Sequence, residues 1–280
     1  MLVDCGALRL GVSGPLAVAT IDHPPTNLVD GPFIAGVDAL LDALLAPGAE
    51  TPVVAVVFIS ADPDFFLMHG DVTVLAETAL YAHVPSEAPN RAAASFQRLA
   101  DAPFVSIGVI EGAARGGGCE FLSALDLRYG TEHTVIGQPE VAMGILPGAG
   151  GTARLPRILG RSAALEMILT GRDLDAKEAL ACGWLTALHP AADIRRHVMA
   201  LAERIAAMPP ASVAAVKRVF SAALPDPAAA LAEESNALSE LMATGAHHEP
   251  MRRFLAAGGQ TRPAEKRGFG PLIEAMLAGP

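Results

Sequence analysis

Cysteine is scarce in the 280 residues: Cys5, Cys119 and Cys182 make an odd count with no C-x-x-C spacing. This excludes a disulfide framework and the common zinc spacings, and it fits a reducing, cytoplasmic setting. Positive charge is scarce as well, with 20 Lys and Arg against 30 Asp and Glu, a formal charge of −10. Neither a nucleic-acid partner nor an anionic membrane suits such a balance, and a polyanionic ligand would need a local cluster of arginines. Long apolar runs are missing although 51% of the residues are hydrophobic. The stretch from Pro32 to Ala46 is broken by Asp38 and Asp42, so nothing approaches the ~20 apolar residues of a transmembrane helix. The opening residues hold no basic segment followed by an apolar block, so no secretory signal is expected.

Several catalytic signatures are absent too. There is no G-x-S-x-G, H-E-x-x-H or P-loop. Gly148-Ala149-Gly150-Gly151-Thr152-Ala153 fits a loose G-x-G-x-x-A but follows Leu146-Pro147 rather than a strand, which argues against a dinucleotide site. His247-His248-Glu249 reads as exposed charge, because adjacent helical histidines diverge by roughly 100° and no third ligand is spaced to join them. No metal is expected.

What is present is a pair of glutamates twenty positions apart, each inside a turn signal: Gly116-Gly117-Gly118-Cys119-Glu120 and Gly137-Gln138-Pro139-Glu140. A glycine run opening a helix presents unpaired N–H groups at the positive end of the helix dipole, and nearby carboxyls can move protons. Together these are parts for stabilising an enolate oxyanion beside an acid and a base.

Around these motifs the pattern alternates strand and helix. Leu8 to Val12 and Leu16 to Asp22 predict a hairpin about Ser13-Gly14-Pro15, and Val53 to Ser60, Val105 to Ile110, Leu127 to Tyr129 and Thr134 to Ile136 predict further strands. Helical spacing covers Phe33 to Leu45, Val72 to Ala82, Ala92 to Leu99 and Gly116 to Leu125. The Pro/Ser/Asn stretch His83 to Asn90 reads as mobile. After Gly151 the pattern is almost wholly helical, interrupted by a strand at Trp184 to Leu188 and a break at Gly258 to Pro263 before a last helix, Pro271 to Leu277. Repeated strand–helix–strand order implies parallel pairing with right-handed crossovers.

From Pro103 to Leu188 the chain resembles the enoyl-CoA hydratase/isomerase family, the crotonases, and Leu16 to Pro24 with Asn27 is similar to that family's opening strand and turn. The resemblance implies an α/β fold, a spiral of ββα units over residues 1–190, with a helical oligomerisation region over 191–280 that builds trimers or paired trimers. It implies that the amides of Gly70 and Gly117 form an oxyanion hole, that Glu120 and Glu140 are the catalytic carboxyls, and that the Gly148 amide helps hold a water. Phe66, Met68, His69, Asp71 and Gly116 are expected around the substrate. Where the family reads Phe-x-Ala-Gly-Ala-Asp, this chain reads Phe66-Leu67-Met68-His69-Gly70-Asp71. His69 therefore stands at a family glycine, as a surface residue tolerated by the turn or as a group pointing into the site. Coenzyme A would enter as the thioester substrate, with no separate cofactor. Arg91, Arg98, Arg252, Arg253, Lys266 and Arg267 are the candidate phosphate partners. Having both glutamates favours hydration of a 2-enoyl-CoA; the alternatives are a Δ3-Δ2 isomerase or related acyl-CoA reaction, and a non-catalytic binding subunit.

Overall fold

The structure, a computed structural model, describes residues 2–46, 52–77, 85–224 and 227–278. The chain opens with an antiparallel meander, β1 (Leu2–Asp4), β2 (Leu8–Ser13) and β3 (Leu16–Ile21), whose β2–β3 turn uses Gly14 at φ 56°. Helix α1 (Gly31–Leu44) follows, started by the Asp30 side chain, which accepts the Phe33 N–H at 2.9 Å. Gly36 lets this helix lie against the Cys5 carbonyl, a contact that a Cβ would block.

From there the strands alternate between two sheets. Strand β4 (Ala55–Ser60) joins β3 in parallel, β5 (Phe65–Leu67) leaves for a second sheet, and α2 (Val72–Glu77) and α3 (Arg91–Ala100) return the chain. Next come β6 (Val105–Ile110), β7 (Ala113–Arg115) and α4 (Gly117–Ser123), then β8 (Leu127–Gly130), β9 (Val135–Gly137) and a 3-10 turn, Glu140–Met143. Helices α5 (Gly151–Leu159) and α6 (Arg161–Thr170), strand β10 (Leu174–Asp175), α7 (Ala176–Ala181) and β11 (Ala187–Leu188) finish the winding. The large sheet has the order β1-β2-β3-β4-β6-β8-β11 and the small one β10-β9-β7-β5. Each turn therefore places one strand in each sheet and then a helix, which is the expected α/β spiral of ββα units.

Strands β5 and β7 are missing from the sequence reading for physical reasons. Each has three residues buried on both faces, so neither shows alternation. Ala113-Ala114-Arg115 also lacks the β-branched side chains that mark a strand. The helix expected over Val72 to Ala82 is described only as α2; residues 78–84, with the start of the stretch expected to be mobile, lie outside the described residues.

The main core gathers Phe33, Phe58 and Phe96 edge-on around Phe121, with centroids 5.3–5.4 Å apart. Helix α8 (Ile194–Ala206) covers the outer face of the large sheet, placing Ile194, Val198 and Ala202 on Val57, Ile107 and Val109. Beyond it lie α9 (Pro210–Ala223), α10 (Ala228–Thr244), α11 (His248–Ala256), α12 (Arg262–Lys266) and α13 (Gly270–Leu277). The expected break at Gly258 to Pro263 contains the start of α12, with Pro263 in its first turn, where the missing N–H costs nothing. Met242, Met251, Phe254, Phe269 and Leu272 pack on Val72, Met143 and Ile145, so the C-terminal helices close one side of the spiral. No described helix is long and apolar enough to cross a membrane.

Candidate active site

The glycine run does two separate things. Gly116 adopts φ 55°, and a Cβ there would lie 2.6 Å from Glu140 Oε1 and 2.8 Å from the His69 Cβ, so both backbone and space demand glycine. Gly116 N–H donates to the Gly137 carbonyl and Gly118 N–H to the Met68 carbonyl. Between them the Gly117 N–H has no acceptor among the described residues, as the first turn of a helix leads one to expect. Across the cleft Gly70 is bridged to Val29 through its neighbour's carbonyl, and its own N–H likewise has no acceptor there. Both glycines wall a cavity of about 360 Å³. Glu120, Glu140 and Gly148 line the same cavity, and the rest of its wall is mostly apolar, including Ile34, Leu75, Ile145, Leu238 and Met242.

Glu120 sits in α4 with Oε1 accepting the N–H groups of Ala149 (2.7 Å) and Gly151 (2.8 Å). Those amides belong to the glycine-rich entry to α5, so the carboxylate is held at a helix N-terminus. Burial, followed by the charges of Glu140 and Glu234, nevertheless pushes its pKa well above the ordinary range. Glu140 opens the 3-10 turn; its Oε2 is buried without a protein partner. Burial raises the Glu140 carboxyl to about 7, opposed by its own backbone N–H and by the charge of His69. The two carboxyls therefore hold at least one proton between them near neutrality.

A third carboxylate escaped the sequence reading. Glu234 of α10 accepts the N–H groups of Gly150 (2.6 Å), Thr152 (2.8 Å) and Ala153 (3.2 Å) and the Thr152 hydroxyl. Its neighbour Glu233 is exposed while Glu234 is buried. Nothing local in an Ala-rich helix separates the two, because the distinction lies in α5, some eighty residues earlier.

None of the five residues expected around the substrate lines the cavity, although Gly116 lies beside Glu140. Phe66 and Met68 are fully buried in apolar clusters and, like Asp71, do not belong to the cavity wall. Asp71 accepts from Gln260 Nε2 at 3.0 Å and from Thr73. His69 is neither a surface residue nor strained. It is buried at 3% exposure, it is not among the positive-φ residues, and its ring lies edge-on to Phe254 and Phe269. His247 also departs from expectation, being buried with both ring nitrogens unpartnered rather than exposed. Among the described residues no three His, Cys, Asp or Glu side chains gather to hold a metal. Cys119 packs in the core. Of the candidate phosphate partners, Arg91 pairs with Asp38, Arg98 with Asp42, Lys266 with Asp64, and Arg252 and Arg253 with Glu249; none of the six lines the cavity.

A spiral of ββα units that brings two unpaired amides and two buried carboxyls to one apolar cavity defines a crotonase-type protein. The sequence profile of the enoyl-CoA hydratase/isomerase family matches residues 13–262, and the chain belongs to that family. It is similar to a Streptomyces avermitilis protein described provisionally as an enoyl-CoA hydratase, at 32% identity and TM-score 0.84, covering 96% of this chain and 98% of that one. DspI of Pseudomonas aeruginosa is 30% identical with a TM-score of 0.70, covering 78% of this chain and 87% of its own. An enoyl-CoA hydratase of Mycobacterium avium subsp. paratuberculosis, at 23% identity, shares the fold with a TM-score of 0.77 over 89% of this chain and 96% of that one.

Proposed function

We propose that this protein hydrates 2-enoyl-CoA thioesters, adding water across the α,β double bond. The observation that carries the reading is that Glu120 and Glu140 share one cavity wall with Gly70 and Gly117. The thioester oxygen accepts the Gly70 and Gly117 N–H groups, which stabilise the negative charge it gains; one such donor is typically worth ~3 to 4 kcal/mol. The reactive form is the one in which the shared proton sits on Glu140; Glu120, its charge steadied by two amides, then takes a proton from water as the water oxygen bonds to Cβ. The π electrons move toward the thioester carbonyl, giving the enolate. Glu140 then delivers its proton to Cα as the enolate electrons return, and proton exchange resets the pair. The Gly148 amide orients the water.

This chemistry needs one carboxyl protonated and the other free. A second proton silences the pair on the acid side, and loss of the shared proton silences it on the alkaline side. With burial holding Glu140 at about 7, a bell-shaped pH profile with an ionisation between pH 5 and 9 is expected. The direct test follows the enoyl-thioester absorbance of crotonyl-CoA and longer 2-enoyl-CoAs. Wild type should turn over, and Glu120→Gln and Glu140→Gln should each lose on the order of 10²- to 10⁴-fold in kcat. No turnover at any chain length sinks the hydratase reading.

One observation favours a second reading, Δ3-Δ2 isomerisation. Glu120 Oε1 is occupied by two amides, whereas Glu140 Oε2 is unpartnered, and a single mobile carboxyl suffices to carry a proton between two carbons. Isomerisation of 3-enoyl-CoA that survives Glu120→Gln and is lost in Glu140→Gln would select it.

A further inference from the structure

The histidine that replaces a family glycine beside the oxyanion donor is wired into the C-terminal helices. His69 Nδ1 lies 2.8 Å from the Gly70 carbonyl oxygen and Nε2 lies 3.1 Å from Glu265 Oε1. A carbonyl can only accept, and Glu265 Oε1 already accepts the Gln260 N–H at 3.0 Å. Two ring nitrogens that both face acceptors are both donors, and an imidazole with two N–H groups is a cation.

The surroundings fit that charge. Glu265 is buried at 1% exposure on α12. Arg115 of β7 brings its guanidinium 3.9 Å from Glu265 Oε2 while bonding Asp173 at 2.7 and 2.8 Å, so Arg115 is itself neutralised and favours an ionised Glu265. Burial disfavours the charged ring, and the hydrogen bond and charge of Glu265 outweigh it, raising His69 and lowering Glu265. From the other elements packed on the ring, the 3-10 turn presents Glu140 and the start of α2 presents Asp71, which is tied to Gln260. Helix α11 presents Phe254, with its arginines paired to Glu249, and the loop before α13 presents Phe269.

The backbone of the same residue holds the site. Val29 N–H donates to the His69 carbonyl, and Met68 is pinned by the Asn27 carbonyl and by Gly118 N–H. The ring thus grips the peptide segment that carries the Gly70 amide. Its Cβ and Glu140 Oε1 also approach the same point above Gly116.

We propose that His69 is a buried imidazolium, charge-paired with Glu265 and clamped on the Gly70 carbonyl, and that it is a positioning residue that orients the Gly70 amide and offsets the charge of Glu140. Its effect on turnover rests on the acyl-CoA reading; its protonation state does not. The test begins with the intact protein labelled with ¹⁵N-histidine, the His69 signals being assigned by their loss in His69→Gln. Both ring nitrogens are expected in the protonated range at pH 7; a neutral tautomer there overturns the proposal. Glu265→Gln, which removes the counter-charge, should leave His69 neutral at pH 7, and a ring that stays cationic there overturns the pairing with Glu265. The ionisation of Glu140, followed by ¹³C-carboxyl NMR with or without substrate turnover, should move up in His69→Gln by about one pH unit, ten-fold in the acid constant. An unmoved Glu140 ionisation overturns the electrostatic role, and an inactive wild type with the expected spectra would fault only the hydratase reading.

Discussion

Glu120 and Glu140 show how one residue type acquires distinct properties from its surroundings. Glu120 is anchored by two amides, while Glu140 keeps one oxygen unpartnered in an apolar wall. Glu140 also lowers the stability of the fold it serves. Its folded pKa of about 7 lies above the ordinary 4.5, so the stability it contributes is fully present below pH 4.5 and is lost as pH rises through 7. Glu140→Gln removes that penalty. The variant should be more stable than wild type at pH 8, with the difference shrinking at pH 5, as read by denaturant unfolding at both values; equal stabilities at pH 8 would deny the raised ionisation. At this scale the glycines and glutamates were legible because each site feature lies within a few residues of its own turn signal. The burial of His69 was not, since the partner that makes a buried cation tolerable is Glu265, 196 positions away.

At the scale of elements, the entry to α5 is the keystone. Its amides are divided between two carboxylates, Ala149 and Gly151 to Glu120, and Gly150, Thr152 and Ala153 to Glu234. Helix α10 thereby fixes the loop that in turn steadies Glu120, and it lines the cavity with Leu238 and Met242. Glu234→Ala leaves several buried N–H groups without an acceptor. A loss of about 2 to 3 kcal/mol in unfolding free energy is expected, as for hydrogen bonds to charged groups, together with a lower kcat. Glu234→Gln should be intermediate, because its amide oxygen still accepts while its NH₂ faces donors. Unchanged stability in Glu234→Ala would show that the α5 entry stands without this cap. The long strands and most helices of the spiral followed from periodicity, whereas β5 and β7 did not, since three buried residues carry no period.

For the whole molecule, α9 is tied to the chain through Lys217, which donates to the Phe104 carbonyl and pairs with Asp126, while its apolar face meets no apolar cluster among the described residues. None of its residues is buried, and Val216, Val219 and Phe220 are 54–68% exposed. Apolar side chains clustered on an exposed helix suit a subunit contact, and we propose that the protein assembles as a homotrimer or a dimer of trimers. Sedimentation equilibrium should give a mass of three or six chains, and Val219→Ser with Phe220→Ser should lower it without changing the far-ultraviolet circular dichroism. A monomeric wild type would refute the assembly.

The spiral was implied by the family resemblance; the sequence pattern by itself determined the long strands, most helices, the position of the glutamate pair and the glycine that opens α4. These depend on local steric and hydrogen-bonding rules that act over a few residues. Only the tertiary structure decided that Phe66 and Met68 belong to the core, that Glu234 and not Glu233 is buried, and that His69 meets Glu265. Burial and ionisation are set by groups that folding brings together from opposite ends of the chain, and no local pattern records that meeting.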